Sequence, residues 1–349
     1  MVEYRKHMKK LIFIGPILKG KQAISGGTMK NQLFLQRFSE VFDQVVTVDT
    51  FHWQKRPFLF VELLWTLTFN YGAKVVISCE AMAPIIIKFL YYVRLKKEVF
   101  YWVIGSGFVE RINKGALKPR PFKYLRRIIV QSPAMVESLN RAGVNNAVYI
   151  PNSKPIYNIP PVDHSEGKTR FVFLSRIQAE KGCDLIRNCV QRLNSEGLSE
   201  EFSVDFYGFK MPGYDFDDAM EGIQNVAYKG ILDMKGEEGY KRLSQYDVFL
   251  FPTFYAGEGF PGVVIDAYIA GVPLIASDWH FNAEVIADGE TGVLIPPQDE
   301  ESLYSAMKSF VVNKAIINEM SAACKKRAKQ YDVNSVLSEA QLKKLNLID

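Results

Sequence analysis

Residues 247–297 read DVFLFPTFYAGEGFPGVVIDAYIAGVPLIASDWHFNAEVIADGETGVLIPP, and the alternation inside this stretch decides the fold. Val248 to Phe251 is a short apolar run of strand length, closed by Pro252. A glycine-rich loop follows, with Glu258 between Gly257 and Gly259. Pro261 suits the first turn of a helix, where its missing N–H is not required. Gly262 to Ala270 continues that helix, and Gly271 with Pro273 ends it. Leu274 to Ala276 is the next buried strand.

The chemistry sits at the helix start. First-turn N–H groups from Phe260 to Val263 have no intrahelical partner, and with the helix dipole they form an anion site. Glu258 precedes that site, and Asp266, eight residues on, lies inside the helix. Carboxylates beside an anion site suit a ligand that carries both phosphate and hydroxyl groups, which is a nucleotide sugar. A plainer reading stays open, in which Glu258 is a solvated loop acid and Asp266 an exposed helix residue.

These residues resemble the donor-site signature of glycosyltransferase family 4, written E-x7-E, with Asp266 in place of the second glutamate. The resemblance implies that Glu258 lies beside the donor sugar and that the second acid bonds the ribose hydroxyls. Asp266 is one methylene shorter, so the choice of nucleoside is open. Upstream, the strand Phe171 to Leu174 is followed by Ser175-Arg176 and Glu180-Lys181-Gly182. This is similar to the family's Gly-Arg and Glu-Lys-Gly, whose Arg and Lys bind the donor diphosphate. Cations at a helix N-terminus oppose the dipole unless an anion joins them. Gly26-Gly27 after the first strand is similar to the family's phosphate-approaching turn. Ile150-Pro151-Asn152 resembles the end of its first domain, and Glu284 matches a family glutamate.

At 349 residues the chain is long enough for two domains, and 48% hydrophobic with 23% charged residues is a globular composition. Cys79, Cys183, Cys189 and Cys324 form no C-x-x-C pair and read as buried thiols in a reducing compartment. The basic start followed by Leu11 to Ile14 imitates a signal peptide, but Gly15, Pro16, Lys19 and Lys21 break it, so it reads as a core strand. Residues 1–160 hold 24 Lys and Arg against 9 Asp and Glu, a net of +15, and residues 161–349 hold 19 against 29, a net of −10. Such a split gives two faces with different partners.

Strand and helix alternate along the whole chain. Strands are expected at Leu11–Ile14, Val45–Val48, Val75–Ser78, Val99–Ile104, Ile128–Gln131 and Val148–Ile150, then at Phe171–Leu174, Val204–Gly208 and Val226–Gly230. Helices are expected from Thr28, up to about Asn70, over Pro84–Lys97, Pro133–Ala142 and Gly236–Gln245. Residues 15–22, GPILKGKQ, nearly spell a P-loop, but Gln22 cannot supply the magnesium hydroxyl. Asp215-Phe-Asp217 resembles a DxD metal site, yet acids at a helix start are favoured for capping alone. His7, His52, His164 and His280 form no triad by spacing.

The expectation is an α/β chain of GT-B fold, with two Rossmann-like doubly wound domains facing across a cleft. Residues 1–155 would bind the acceptor, 156–330 the nucleotide sugar, and a polar helix in 331–349 would cross back to the first domain, with Pro151–Lys168 as linker. The implied activity is retaining, metal-independent sugar transfer from a nucleoside diphosphate sugar, UDP favoured over GDP, to a glycan or lipid-linked acceptor of a polysaccharide or glycoconjugate. Arg176, Lys181 and Glu258 would be catalytic. Gly26, Gly27, Arg176, Lys181, Glu258, Gly259, Phe260, Pro261, Gly262, Val263 and Asp266 would bind the donor. No cofactor is expected, and no metal. A non-catalytic GT-B-like subunit binding a glycan or a partner is the rival class, and nucleic-acid binding lacks any recognition motif. The chain is expected in the cytoplasm. Lys55 and Arg56 among His52, Trp53, Phe58 and Phe60, and Lys88, Arg94, Lys96 and Lys97 with Ile85 to Ile87, Tyr91 and Tyr92, suit the inner face of an anionic membrane.

Overall fold

The apolar runs become the buried middles of two parallel sheets in a computed structural model that describes residues 8–18, 26–94 and 96–348. Packing divides the chain into Met1–Asn152 with Val333–Asp349, and Ser153–Asp332.

The first unit has strands β1 (Lys10–Gly15), β2 (Gln44–Asp49), β3 (Lys74–Ile77), β4 (Val99–Trp102), β5 (Arg127–Val130) and β6 (Ala147–Tyr149). They lie in the order β2-β1-β3-β4-β5-β6, all parallel. Between them come helices α1 (Gly26–Val41), α2 (Leu59–Phe69), α3 (Ala83–Val93), α4 (Gly107–Asn113) and α5 (Pro133–Arg141). The step from β1 to β2 runs one way along the sheet and every later step runs the other. Right-handed crossovers therefore put α1 on one face and α2 to α5 on the opposite face.

The second unit repeats the plan with β7 (Thr169–Leu174), β8 (Phe202–Tyr207), β9 (Val226–Tyr228), β10 (Val248–Phe251), β11 (Leu274–Ser277) and β12 (Gly292–Ile295). Their order is β12-β11-β10-β7-β8-β9. Helices α6 (Cys183–Ser195), α7 (Phe216–Ala219), α8 (Glu237–Leu243), α9 (Gly262–Ala270), α10 (Asn282–Val285), α11 (Glu300–Val312) and α12 (Ala315–Ala328) connect or cover them. The chain then rejoins the first unit through α13 (Val333–Val336) and α14 (Glu339–Lys344).

Several sequence expectations need correction. Residues 331–349 are not one polar helix. Val336, Leu337, Leu342, Leu345 and Leu347 are buried with Phe34 and Phe38 of α1, so this segment closes the α1 face of the first sheet. Pro151–Lys168 is not a bare linker, because from Ser153 it belongs to the second unit. It is strapped down by an isolated bridge between Lys154 and Asp332, by buried Ile159, and by His164, whose Nδ1 lies 2.6 Å from Asp247 Oδ1. Helix α3 stops at Val93, because Arg94 adopts φ 50, a left-handed conformation that breaks the helical ladder. Lys96 and Lys97 therefore lie beyond it. Ile86 and Ile87 are core, and Arg56 is engaged by Glu62 and by the Asp49 carbonyl. Helix α1 already begins at Gly26, and α4 had no clear periodic signal in its seven residues. Of the near-P-loop, residues 19–22 lie outside the described residues. All four cysteines are buried free thiols, with burial pushing Cys79, Cys183 and Cys189 up to about 12.

One buried group opposes stability. Lys30 on α1 is 8% exposed, its Nζ has no hydrogen-bond partner among the described residues, and it lies 5.2 Å from the centre of the Phe34 ring. Burial lowers its pKa from 10.5 to about 7. Between those two values the unfolded chain holds a proton that the fold has released, so stability rises with pH across that window, by up to about 1.4 kcal/mol per unit. Lys30→Met should raise Tm at pH 7 and remove the further rise toward pH 9. Thermal denaturation at both pH values measures this, and an unchanged slope would show that Lys30 is not the group responsible.

Candidate functional site

The site grows from the ends of β7 and β10. After β7 the chain presses against the end of β8: a Cβ on Gly208 would lie 1.7 Å from the Ser175 carbonyl oxygen. Ser175 N–H donates to the Tyr207 carbonyl at 3.1 Å, so Ser175 tolerates the position where the family pattern has glycine. A 3-10 turn at Ala179–Lys181 follows, ended by Gly182 in the left-handed conformation at φ +86. Here glycine is required twice, since a Cβ would also lie 2.4 Å from the Pro252 carbonyl oxygen at the end of β10. Phe254 N–H donates to the Glu180 carbonyl at 2.9 Å, which stitches this turn to the loop after β10.

That stitching sets Lys181 against Glu258. The Lys181 ammonium donates to Glu258 Oε2, and Thr253 Oγ1 donates to the same oxygen at 3.2 Å. The Lys181 side chain is only 5% exposed, and its Nζ stands 4.9 Å from the Tyr255 ring centre and 5.8 Å from that of Phe251. Burial holds the Lys181 pKa below its usual value, with Glu258 pulling it back up and Arg176 pushing it further down. Arg176 is exposed, forms no ion pair among the described residues, and stacks on Tyr255 at 4.9 Å. Two cations share one aromatic ring. Trp279 Nε1 donates to the Tyr255 backbone carbonyl at 2.9 Å and holds the loop there from the β11 side.

Helix α9 starts behind this cluster. Pro261 is its N-cap, one position earlier than the first-turn place that the sequence suggests, and Gly262 opens the helix. Phe260 is buried against Tyr331, with ring centres 5.8 Å apart, which anchors the loop. Gly259 and Val263 are partly buried beside it. Asp266 is 3% exposed, and both its oxygens are engaged, Oδ1 by the Tyr240 hydroxyl at 2.8 Å and Oδ2 by the Lys154 ammonium. At the end of β11, Ser277 Oγ and Asn282 Oδ1 are buried without a partner among the described residues. Polar atoms in that condition call for water or a ligand.

The structure thus brings Arg176, Lys181 and Glu258 together and puts Gly259 to Val263 at their side. Asp266 lies deeper, under Lys154 and Tyr240. Gly26 and Gly27 are the first two residues of α1 in the first unit, and a Cβ on Gly26 would meet nothing within 4 Å. Glu284 lies in α10, and His280 is exposed with φ 52. In the DxD-like stretch, Asp215 caps α7 by accepting from Asp218 N–H at 3.2 Å, and Asp217 binds Lys210 at 2.5 Å, so each acid has a local structural role. Thr253, Tyr255, Tyr240 and Lys154 were missed. Thr253 and Tyr255 sit in the quoted loop and were legible there. Lys154 meets Asp266 across 112 residues, a pairing no local pattern reveals.

The family model of group 1 glycosyl transferases matches residues 168–313, which contain this cluster apart from Lys154 and Tyr331. Residues 168–313 are thus similar to that family. The chain is 25% identical over 295 residues to an uncharacterized 41.2 kDa protein in the cps region of Klebsiella pneumoniae, covering 77% of each. It is 26% identical over 238 residues to the phosphatidyl-myo-inositol mannosyltransferase of Mycobacterium leprae, covering 65% of this chain and 61% of that protein. The whole chain has the GT-B fold. It matches sucrose-phosphate synthase from Thermosynechococcus elongatus with a TM-score of 0.75 at 15% identity, covering 96% of this chain and 98% of that one. The Anabaena protein HepE, in complex with UDP-glucose, matches with a TM-score of 0.71 at 14% identity, covering 98% and 100%.

If the second unit depends on the close approach at Gly182, Gly182→Ala should be costly. Strain at φ +86 and the clash with Pro252 together should destabilise the protein by about 1–3 kcal/mol. Chemical denaturation reads this loss, and a variant as stable as the parent would mean that the turn and strand end can separate freely.

Proposed function

We propose that this chain is a retaining glycosyltransferase that transfers a sugar from a nucleoside diphosphate sugar, a UDP-sugar in preference to a GDP-sugar, to a glycan or lipid-linked acceptor. The observation that carries this reading is the cluster in which Arg176 and Lys181 share the Tyr255 ring while Lys181 also holds Glu258. The relatives are consistent with it, one named as a phosphatidyl-myo-inositol mannosyltransferase and another located in a cps region.

The main barrier in such a transfer is departure of the diphosphate, so preorganised positive charge near the leaving oxygens is the effective catalyst. Arg176, Lys181 and the α9 start at Phe260 to Val263 supply it. A diphosphate arriving at Lys181 competes with Glu258 for the ammonium, and the carboxylate it loosens is then free to accept hydroxyls of the donor sugar. Glu258 is ion-paired, not poised as a covalent nucleophile, which suits a same-face mechanism where the departing phosphate takes the acceptor's proton. A ribose contact at Asp266 requires one carboxylate oxygen to leave Tyr240 or Lys154. No metal or cofactor takes part in this proposal.

Arg176 is exposed, so Arg176→Ala should leave folding intact while lowering turnover by on the order of 10²–10³. A thermal-shift screen of UDP- and GDP-sugars identifies the donor first, since a ligand that binds only the folded state raises Tm. Transfer from that donor then gives the rate. Unchanged turnover in the variant would remove Arg176 from the site, and binding without transfer would leave a non-catalytic subunit.

Transfer should also persist in excess EDTA, because the cations above take the place of a metal at the diphosphate. Loss of transfer on chelation, with recovery on adding manganese, would return Asp215 and Asp217 to the site.

A further inference from the structure

Helix α2 has no polar face. Its inward row, Leu59, Leu63, Thr66 and Leu67, is buried in the first unit. Its outward side is equally apolar. Phe58 just before it, Trp65 and Phe69 within it, and Tyr71 just after it are exposed by 77%, 64%, 64% and 93%, with Val61 and Leu64 between them also exposed. Positions 58, 61, 65 and 69 follow the helical period and form one stripe, in which the Trp65 and Phe69 rings stand 4.0 Å apart. The single acid of the helix, Glu62, is taken by Arg56 at 2.7 Å. A helix apolar all round is normally enclosed, and a contiguous exposed patch of this kind marks a contact surface.

The neighbouring helix supplies charge. α3 lies on the same face of the sheet as α2, and Lys97, just beyond it, donates to the Asn70 carbonyl at the end of α2. Exposed Tyr92 and Val93 end α3, and exposed Arg94 and Lys96 follow. Tyr124, in the 3-10 turn that begins at exposed Arg120, packs on Tyr91 of α3 at 6.3 Å. Lys55, Lys88, Arg94, Lys96 and Arg120 form no ion pair among the described residues. An apolar, aromatic stripe is therefore bordered by cations with no acids to answer them.

We propose that this face docks on an anionic lipid bilayer, with the α2 stripe inserted shallowly among the acyl chains and the cations around α3 on the headgroups. Among the described residues no helix is long and apolar enough to cross a membrane, so the contact is interfacial. A second copy of the chain fits the same stripe poorly. A two-fold interface would set the unpaired cations near their own copies, and the patch offers no free acid to offset them. The inference does not depend on the transfer reaction proposed above.

The test is sedimentation of the full chain with vesicles of pure phosphatidylcholine and of phosphatidylcholine with phosphatidylglycerol, at low and high salt. Binding should require the anionic lipid, weaken as salt rises and shift tryptophan fluorescence to the blue. Lys88→Ser, Arg94→Ser and Lys96→Ser together should lower partitioning on the order of 100-fold, at roughly fivefold per charge. Trp65→Ser with Phe69→Ser should abolish insertion without lowering Tm, because both side chains are exposed. Absence of binding to anionic vesicles at low salt, or variants that bind like the parent, would overturn the proposal. So would a lipid-independent dimer in light scattering that the Trp65/Phe69 variant dissolves, which would assign the face to a second copy.

Discussion

A largely buried charge pair, Lys181 with partly buried Glu258, sets the terms for the second unit. Neither group could be taken out of water alone, since removing one partner of such a pair costs ~3–5 kcal/mol. The two must therefore be brought together by backbone that leaves no slack. Gly182 provides this by touching the end of β10 where any side chain would collide. Thr253 and the Phe254 amide tie the loop back to Glu180. Tyr255, pinned through Trp279, covers the ammonium and gives Arg176 a surface to lie on. Loop, turn and strand end act as one part.

In the proposed reaction this pair would exchange one partner for the diphosphate. Its Coulomb attraction is strong because water is largely excluded, and for the same reason a diphosphate at Lys181 would be held strongly. Burial lowers the ammonium pKa, and an anion beside it would favour the charged form that burial discourages. Asp266 sits under opposite conditions, closed over by Lys154 and Tyr240 and set back from the exposed Arg176. The shorter acid is matched here by a lysine from the strap that begins the second unit.

The two faces of the first sheet have different fates. The α1 face is covered by the chain's own C-terminal residues, whose leucines complete a core with Phe34 and Phe38. The opposite face carries α2, whose outer stripe is as apolar as its inner one and has no cover. One sheet thus shows both a finished and an unfinished side.

Periodicity and punctuation in the sequence alone determined the parallel α/β order, because strand and helix repeats are local and Gly and Pro mark their ends. The sequence also singled out Arg176, Lys181 and Glu258 as candidates, through a family resemblance and through the loop glycines and helix start that flank Glu258, which are local features. What tertiary structure decided was partnership. The engagement of Asp266 by Lys154 and of His164 by Asp247 joins residues 112 and 83 positions apart. The burial of the C-terminal leucines was equally hidden, because amphipathic spacing in short helices is too brief to separate a polar helix from a docking one. The same limit applied to α2, whose even hydrophobicity says that both faces want cover but not which one the sheet takes. Only packing chose Leu59, Leu63 and Leu67 for the core and left Trp65 and Phe69 outside, because a helix lies on a sheet along one stripe and the right-handed crossover fixes which face of the sheet it lies on.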